Sequence, residues 1–133
     1  MENKTFTVHK TVTEADTAAC VGSGSLPVLA TPVLIAWMEE AACGCCADLL
    51  AEGMTSVGTE MNMRHTAASP VGMKVTVTAE LTAAEGRMLS FHVYAEDAAC
   101  AVGECSHTRA IVQAERFMEL HKLCWSRMVR FLV

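Results

Sequence analysis

The spacing of apolar and polar residues changes twice along the chain, and each change marks a new kind of element. Residues 5–12, TFTVHKTV, alternate and predict a strand with Phe6, Val8 and Val12 on one face. TEADTAAC follows, opening on the capping-type residue Thr13 with acids behind it, and predicts a short helix. VGSGSLP is a loop of small residues. Its G-x-G lacks both a third glycine and a strand ahead of it, so no dinucleotide site is expected there. The pattern then turns continuous: from Val33 to Leu50 nearly every residue is apolar or small, and no breaker comes before Gly53. Thr31 and Pro32 stand at its head. A hydroxyl suits the N-cap, and proline suits the first helical position, where its missing N–H does no harm. The spacing predicts a helix of about 20 residues, roughly 30 Å long, buried almost all round. Gly44 is its weak point, and Ala41, Ala42, Gly44 and Ala47 let a sheet come close.

Beyond Gly53 the period returns to two. TSVGTEMNMRH predicts a strand with Val57, Met61, Met63 and His65 on one face, and TAASPVG a loop. MKVTVTAELT places Met73, Val75, Val77, Ala79 and Leu81 inward, with Lys74, Thr76, Thr78 and Glu80 outward. AEG turns the chain, RMLSFHVYAE alternates through Leu89, Phe91, Val93 and Ala95, and CAVGECSHTRAIV is a last long strand. Short turns between strands mean antiparallel pairing. One long apolar helix on one such sheet is an α+β fold in two layers. The tail, ERFMELHKLCWSRMVRFLV, has Phe117, Leu120, Cys124, Met128 and Phe131 at helical spacing and predicts an amphipathic helix packed on the body or on a neighbour.

Composition narrows the function more than the fold. The 133 residues make one domain, 52% hydrophobic and 19% charged, which excludes disorder. A mean hydropathy of +0.30 is high for a small monomer and predicts apolar surface covered by a second subunit. The net charge of −5 carries no electrostatic footprint for nucleic acid. No apolar run approaches the ~20 residues of a membrane span, and MENKTFTVHK lacks the apolar stretch of a signal peptide. A cytoplasmic protein is expected. The seven cysteines show no C-x-x-C spacing, so they are read as small buried apolar side chains rather than as a metal site or disulfide framework.

Three stretches in order, VLATPVLIAWMEEAA, SVGTEMNMRHTAASPVG and ECSHTRAIVQAERF, resemble the thioesterase family that includes the fluoroacetyl-CoA thioesterases. That family begins its central helix with A-T-P, carries a glutamate two turns on, and has H-x-A-x-x-P-x-G after the next strand. The resemblance covers roughly residues 5 to 117. It implies the hotdog fold, a long helix wrapped by a five-stranded antiparallel sheet, with residues 1–117 as the domain and 118–133 as a C-terminal extension. It also implies a homodimer, or a dimer of dimers, that hydrolyses acyl-CoA thioesters without metal or redox cofactor, coenzyme A being part of the substrate. Carried over by motif, the catalytic groups are Thr31, Glu39 and His65, with Gly58 beside the substrate carbonyl and Arg109 near the active-site face.

Each of these residues also has a plain structural reading. Thr31 is an N-cap or a hydroxyl aimed at the thioester. Glu39 and Glu40 lie about 100° apart on the helix, so one serves chemistry and the other is solvated or paired. His65 is a hydrogen-bonded core residue or a general base. Gly58 marks a bulge or a close approach to backbone, and Arg109 pairs a carboxylate or steers CoA phosphates. Histidines 9, 92, 107 and 121 are read as structural or exposed. Thr31 and Glu39 are eight positions apart, about 12 Å along a helix. They meet only if substrate and His65 lie between them, or if Glu39 comes from a partner subunit. Two rivals are a hotdog enoyl-CoA hydratase or dehydratase and a non-catalytic acyl-CoA binder. No aromatic residue lies between Val12 and Trp37 to gate the site, which favours a general hydrolase over a fluoroacetyl-selective one.

Overall fold

A computed structural model describes residues 4–122. Strand β1 (Thr5–Thr11) leads into a 3-10 turn (Glu14–Asp16) and the single helical turn α1 (Ala18–Val21). The long helix α2 (Thr31–Cys46) follows, then β2 (Met54–His65), β3 (Lys74–Glu85), β4 (Met88–Glu96) and β5 (Ala101–Gln113). The strands form one sheet in the order β1-β3-β4-β5-β2, every neighbour antiparallel. This is the expected α+β arrangement. No helix among the described residues is long and apolar enough to cross a membrane.

The alternation of the middle strands translates directly into packing. Val75, Val77 and Ala79 of β3 and Leu89, Phe91, Val93 and Ala95 of β4 are all buried against Leu34, Trp37, Met38, Ala41 and Cys45 of α2. Gly44 has a reason in the structure: the ring of Phe6 from β1 lies over it, and a Cβ there would sit 2.2 Å from Phe6 Cε1.

Four expectations need correcting. Helix α2 has 16 residues rather than about 20, and a 3-10 turn, Ala47–Leu49, carries the chain off it. Gly53, with φ +81°, therefore serves the turn into β2, not the helix end. The helix is also not buried all round. Its sheet covers one side only, and in a single chain Pro32, Ala36, Glu40 and Cys43 are exposed on the other. Thr13 and Asp16 do hold their turn together, Asp16 Oδ2 accepting from the Thr13 backbone N–H (2.9 Å) and hydroxyl (2.8 Å), but the segment breaks at Thr17 instead of making one helix. Finally, β2 carries a bulge between Gly58 and Glu60. The extra residue flips strand parity, so Ser56 and Gly58, not Val57, share a face with Met61, Met63 and His65.

Of the described cysteines, 45, 46 and 105 are buried as expected, and burial pushes the Cys105 thiol up to about 11. Cysteines 20, 43 and 100 are exposed, against expectation, because they sit on α1, on the open side of α2 and in the β4–β5 turn. Residues 114–122 are helical from Ala114 onward, so the helix starts inside the span assigned to the domain; the predicted helix beyond 122, with Cys124, Met128 and Phe131, lies outside the described residues.

Two glycines test this packing against each other. A Cβ at Gly103 would lie 2.7 Å from the Arg64 backbone oxygen, which cannot swing away. Gly103→Ala should cost about 1–3 kcal/mol, read as a lowered urea midpoint. Gly44→Ala should change stability by less than about 1 kcal/mol, because the half-exposed Phe6 ring can yield and alanine favours the helix.

Candidate active site

Ala30, not Thr31, caps helix α2. Its carbonyl accepts from the N–H groups of Val33 (3.1 Å) and Leu34 (3.0 Å), and its backbone is extended. Thr31 is thus the first helical residue, and its hydroxyl has no capping duty. It sits instead 2.9 Å from Nδ1 of His65, the last residue of β2. Burial holds the His65 pKa below its ordinary value near 6.5, against an opposing pull from the Ala67 backbone. The ring is therefore neutral at pH 7. A neutral imidazole can take the threonine proton at Nδ1 while carrying its own on Nε2, and Nε2 is buried with no partner among the described residues. The pair opens on a cleft of about 280 Å³ walled by Ala18, Ser23, Val28, Leu29 and Ala67.

Two turns along α2 lies a second cluster. Glu39 Oε2 accepts from Arg109 Nη1 at 3.1 Å. Arg109, on β5, is only 6% exposed and also donates through Nε to Ser56 Oγ (2.9 Å) and through Nη2 to the Ser56 carbonyl (3.0 Å). Gly58 faces the same carboxylate, and a Cβ there would lie 2.6 Å from Oε2. That is the close approach the glycine allows, and the bulge is present too. Glu40 points the other way and pairs with Lys10 at 2.8 Å. The two adjacent acids thus divide as their 100° separation requires.

His107 belongs to this cluster, although the sequence reading set it aside. It is 2% exposed. Its Nδ1 lies 2.7 Å from the Glu60 carbonyl, which fixes the proton on Nδ1 and leaves Nε2 to accept from Arg109 Nη1 at 3.2 Å. Burial lowers its pKa and Arg109 adds to that, against the Glu60 carbonyl and Glu39. The signal for it was its position two residues before Arg109 on the same strand face.

Within one chain the five expected residues therefore fall into two groups. Thr31 and His65 meet; Glu39, Gly58 and Arg109 meet, and Glu39, Gly58 and His107 line a cleft of about 260 Å³. The groups stand about 12 Å apart along α2. A larger groove, about 590 Å³ between Met54, Arg87, Ile111, Phe117 and Leu120, touches neither. Among the described residues no three His, Cys, Asp or Glu side chains converge as a metal-ligand set.

The family described as "Fluoroacetyl-CoA-specific thioesterase" matches residues 12–115, a span that contains both groups. The chain belongs to that family. The fluoroacetyl-CoA thioesterase of Streptantibioticus cattleyicolor is 43% identical over 90 residues, 68% of this chain and 65% of that protein, so the match spans less than two thirds of the relative's length. The crystal structure of the F36A mutant of the fluoroacetyl-CoA-specific thioesterase FlK with fluoroacetate and CoA superposes with a TM-score of 0.83 at 35% identity, over 88% of this chain and 98% of that one. A Thermus thermophilus member of the thioesterase superfamily, at 24% identity and TM-score 0.88 over 98% of this chain and 96% of that one, shares the fold. The hotdog architecture of this thioesterase-family chain is thereby established.

Both neutral histidines make stability depend on pH. Each has a folded pKa below its unfolded value, so the unfolded chain binds more protons once pH drops below about 6.5. Stability should be full above that pH and fall progressively below it, towards each histidine's folded pKa. Urea midpoints measured from pH 7.5 to 5 should decline, and His65→Gln should flatten the decline.

Proposed function

We propose that this family member is an acyl-CoA thioesterase that hydrolyses short acyl-CoA thioesters to the free acid and CoA, working as a homodimer. The observation that carries the reading is the 2.9 Å contact between a threonine hydroxyl, free of capping, and a neutral imidazole at a helix start. His65 there acts as general base. It deprotonates the Thr31 hydroxyl, or a water held by it, which adds to the thioester carbonyl. The C–S bond then breaks, and the CoA thiolate takes the proton from His65. Where water attacks, the acid is released in this step; where Thr31 attacks, His65 next deprotonates a water that cleaves the acyl-Thr31 ester, the acid leaves, and the proton returns to the Thr31 oxygen. The N–H groups at the start of α2 and along the backbone at Gly58 are suited to the oxyanion. Glu39 holds the attacking or departing proton carrier in place.

The free edge of β2 supports the dimer. A strand of 12 residues with pairing on one side only is an open template for another strand. If two copies pair there antiparallel about a two-fold axis near Met61 and Asn62, residue 65 of one copy faces residue 58 of the other. That register would carry the Thr31–His65 pair of one subunit to the Gly58–Glu39 cluster of its partner, closing a gap that one chain leaves open. The exposed apolar stripe of α2 argues for the same association.

Two of the relatives named above are fluoroacetyl-CoA thioesterases. Here the walls beside the Thr31–His65 pair are small side chains with no Phe, Tyr or Trp to grip a very small acyl group, which supports a broader short-acyl specificity. The unpaired thiols of the described cysteines accord with a reducing compartment such as the cytoplasm.

Thiol release from a panel of short acyl-CoAs tests the activity. Thr31→Ala and His65→Ala should each lower kcat/KM by about 10²- to 10⁴-fold; unchanged rates would end this mechanism. The shared site has its own test. Co-expressed Thr31→Ala and Glu39→Gln chains should recover up to about a quarter of wild-type activity, because mixed dimers keep one intact site. No recovery would place the site within a single chain.

A further inference from the structure

Arg109 Nη1 carries two N–H bonds, and the structure gives each a different acceptor. One goes to Glu39 Oε2 at 3.1 Å and the other to His107 Nε2 at 3.2 Å. Nε and one N–H of Nη2 go to the Ser56 hydroxyl and carbonyl. A guanidinium so held cannot rotate without stranding a buried donor. The imidazole is itself fixed by the Glu60 carbonyl, the first residue past the bulge in β2. With Nδ1–H spent on that carbonyl, only Nε2 can accept from Arg109. A cationic ring would instead turn a donor towards a donor. Glu39 Oε2 has no hydrogen bond other than the one from Arg109 among the described residues, His107 Nε2 standing 3.9 Å away and beyond hydrogen-bond reach, and Oε1 has none. One oxygen is held and the other is free to act.

We propose that His107 is a positioning residue of the thioester hydrolysis: as a neutral Nε2 acceptor it locks Arg109, and through Arg109 it aims the Glu39 carboxylate past Gly58 into the reaction cleft. The proposal rests on the thioesterase reading for its kinetic consequence but not for its geometric one. It also links the β2 bulge to the carboxylate, so that the strand edge and the acid move together.

Two polar variants separate positioning from packing. In His107→Gln the side-chain oxygen reaches the place of Nε2 and still accepts from Arg109. In His107→Asn the shorter amide can donate to the Glu60 carbonyl but falls short of Arg109. Both are measured for kcat, KM and melting temperature, alone and combined with Glu39→Gln, and their crystal structures are solved. His107→Asn should lower kcat roughly ten- to hundred-fold, the scale of a misplaced catalytic group, with KM within about two-fold; His107→Gln should keep most of kcat. In the Glu39→Gln background His107→Asn should change the residual kcat by less than about two-fold, because residues acting through one another are not additive. In the crystal structures Glu39 should leave Arg109 in the Asn variant and stay in the Gln variant. Equal losses in both variants, or a full further loss on top of Glu39→Gln, would overturn the proposal. A wild type without thiol release would overturn the hydrolase reading instead, and the position of Glu39 in the two variants would then decide the positioning role.

Discussion

A cation buried in a sheet has to be met by acceptors, and the meeting of Arg109 with the partly exposed carboxylate of Glu39 organises one whole end of this molecule. Arg109 is buried on the last strand, where an unpaired guanidinium would be far more costly than a paired one. Four of its five N–H groups find acceptors, on three elements. Ser56 on β2, Glu39 on α2 and His107 on β5 supply them. Gly58 is then required, because a side chain there would fall where the carboxylate sits. The bulge past Gly58 follows in turn, turning the Glu60 carbonyl towards His107. Five residues scattered over seventy positions are thus answers to one electrostatic demand.

The other end of α2 meets a different demand. A helix start exposes N–H groups, and here the backbone of Ala30 does the capping. That leaves the Thr31 hydroxyl available to an imidazole at the end of the neighbouring strand. The histidine is kept neutral by burial alone, without a carboxylate behind it. This base is tuned by its surroundings rather than by a charged partner, and the acid of the family pattern sits about 12 Å along the helix instead of behind the ring. A helix with chemistry at both ends and an edge strand spanning the same interval is what a two-fold pairing of β2 would use: each copy would bring the half that the other lacks.

The sheet beneath is ordinary by comparison. Its middle strands bury alternate residues against the helix, and the polar groups on the outer face pair across strands, as Thr7 does with Thr78 at 3.0 Å. A groove larger than either cleft lies by the start of the C-terminal helix and shares no residue with either cluster. Size therefore does not locate the chemistry in this fold. The convergence of an uncommitted hydroxyl, two neutral histidines and a paired carboxylate does.

The sequence by itself determined the α+β class, the order of the elements and the inward faces of β3 and β4, because period-two alternation and a continuous apolar run are local properties that burial reads out directly. Resemblance to the thioesterase family also singled out Thr31, Glu39, Gly58, His65 and Arg109. Tertiary structure alone decided their grouping. Whether Thr31 caps its helix depends on the turn of the backbone at Ala30, and which of two adjacent acids faces inward depends on where Lys10 and Arg109 lie. The face of Val57 was misread because one extra residue at a bulge reverses parity, and nothing local in TSVGTEM announces it. His107 was missed because its value comes from neighbours 47 and 70 positions distant from its own and from Arg109's place in the chain. Hydrogen bonds between strands and helix are set by register, and register is settled only when the whole sheet closes on its core.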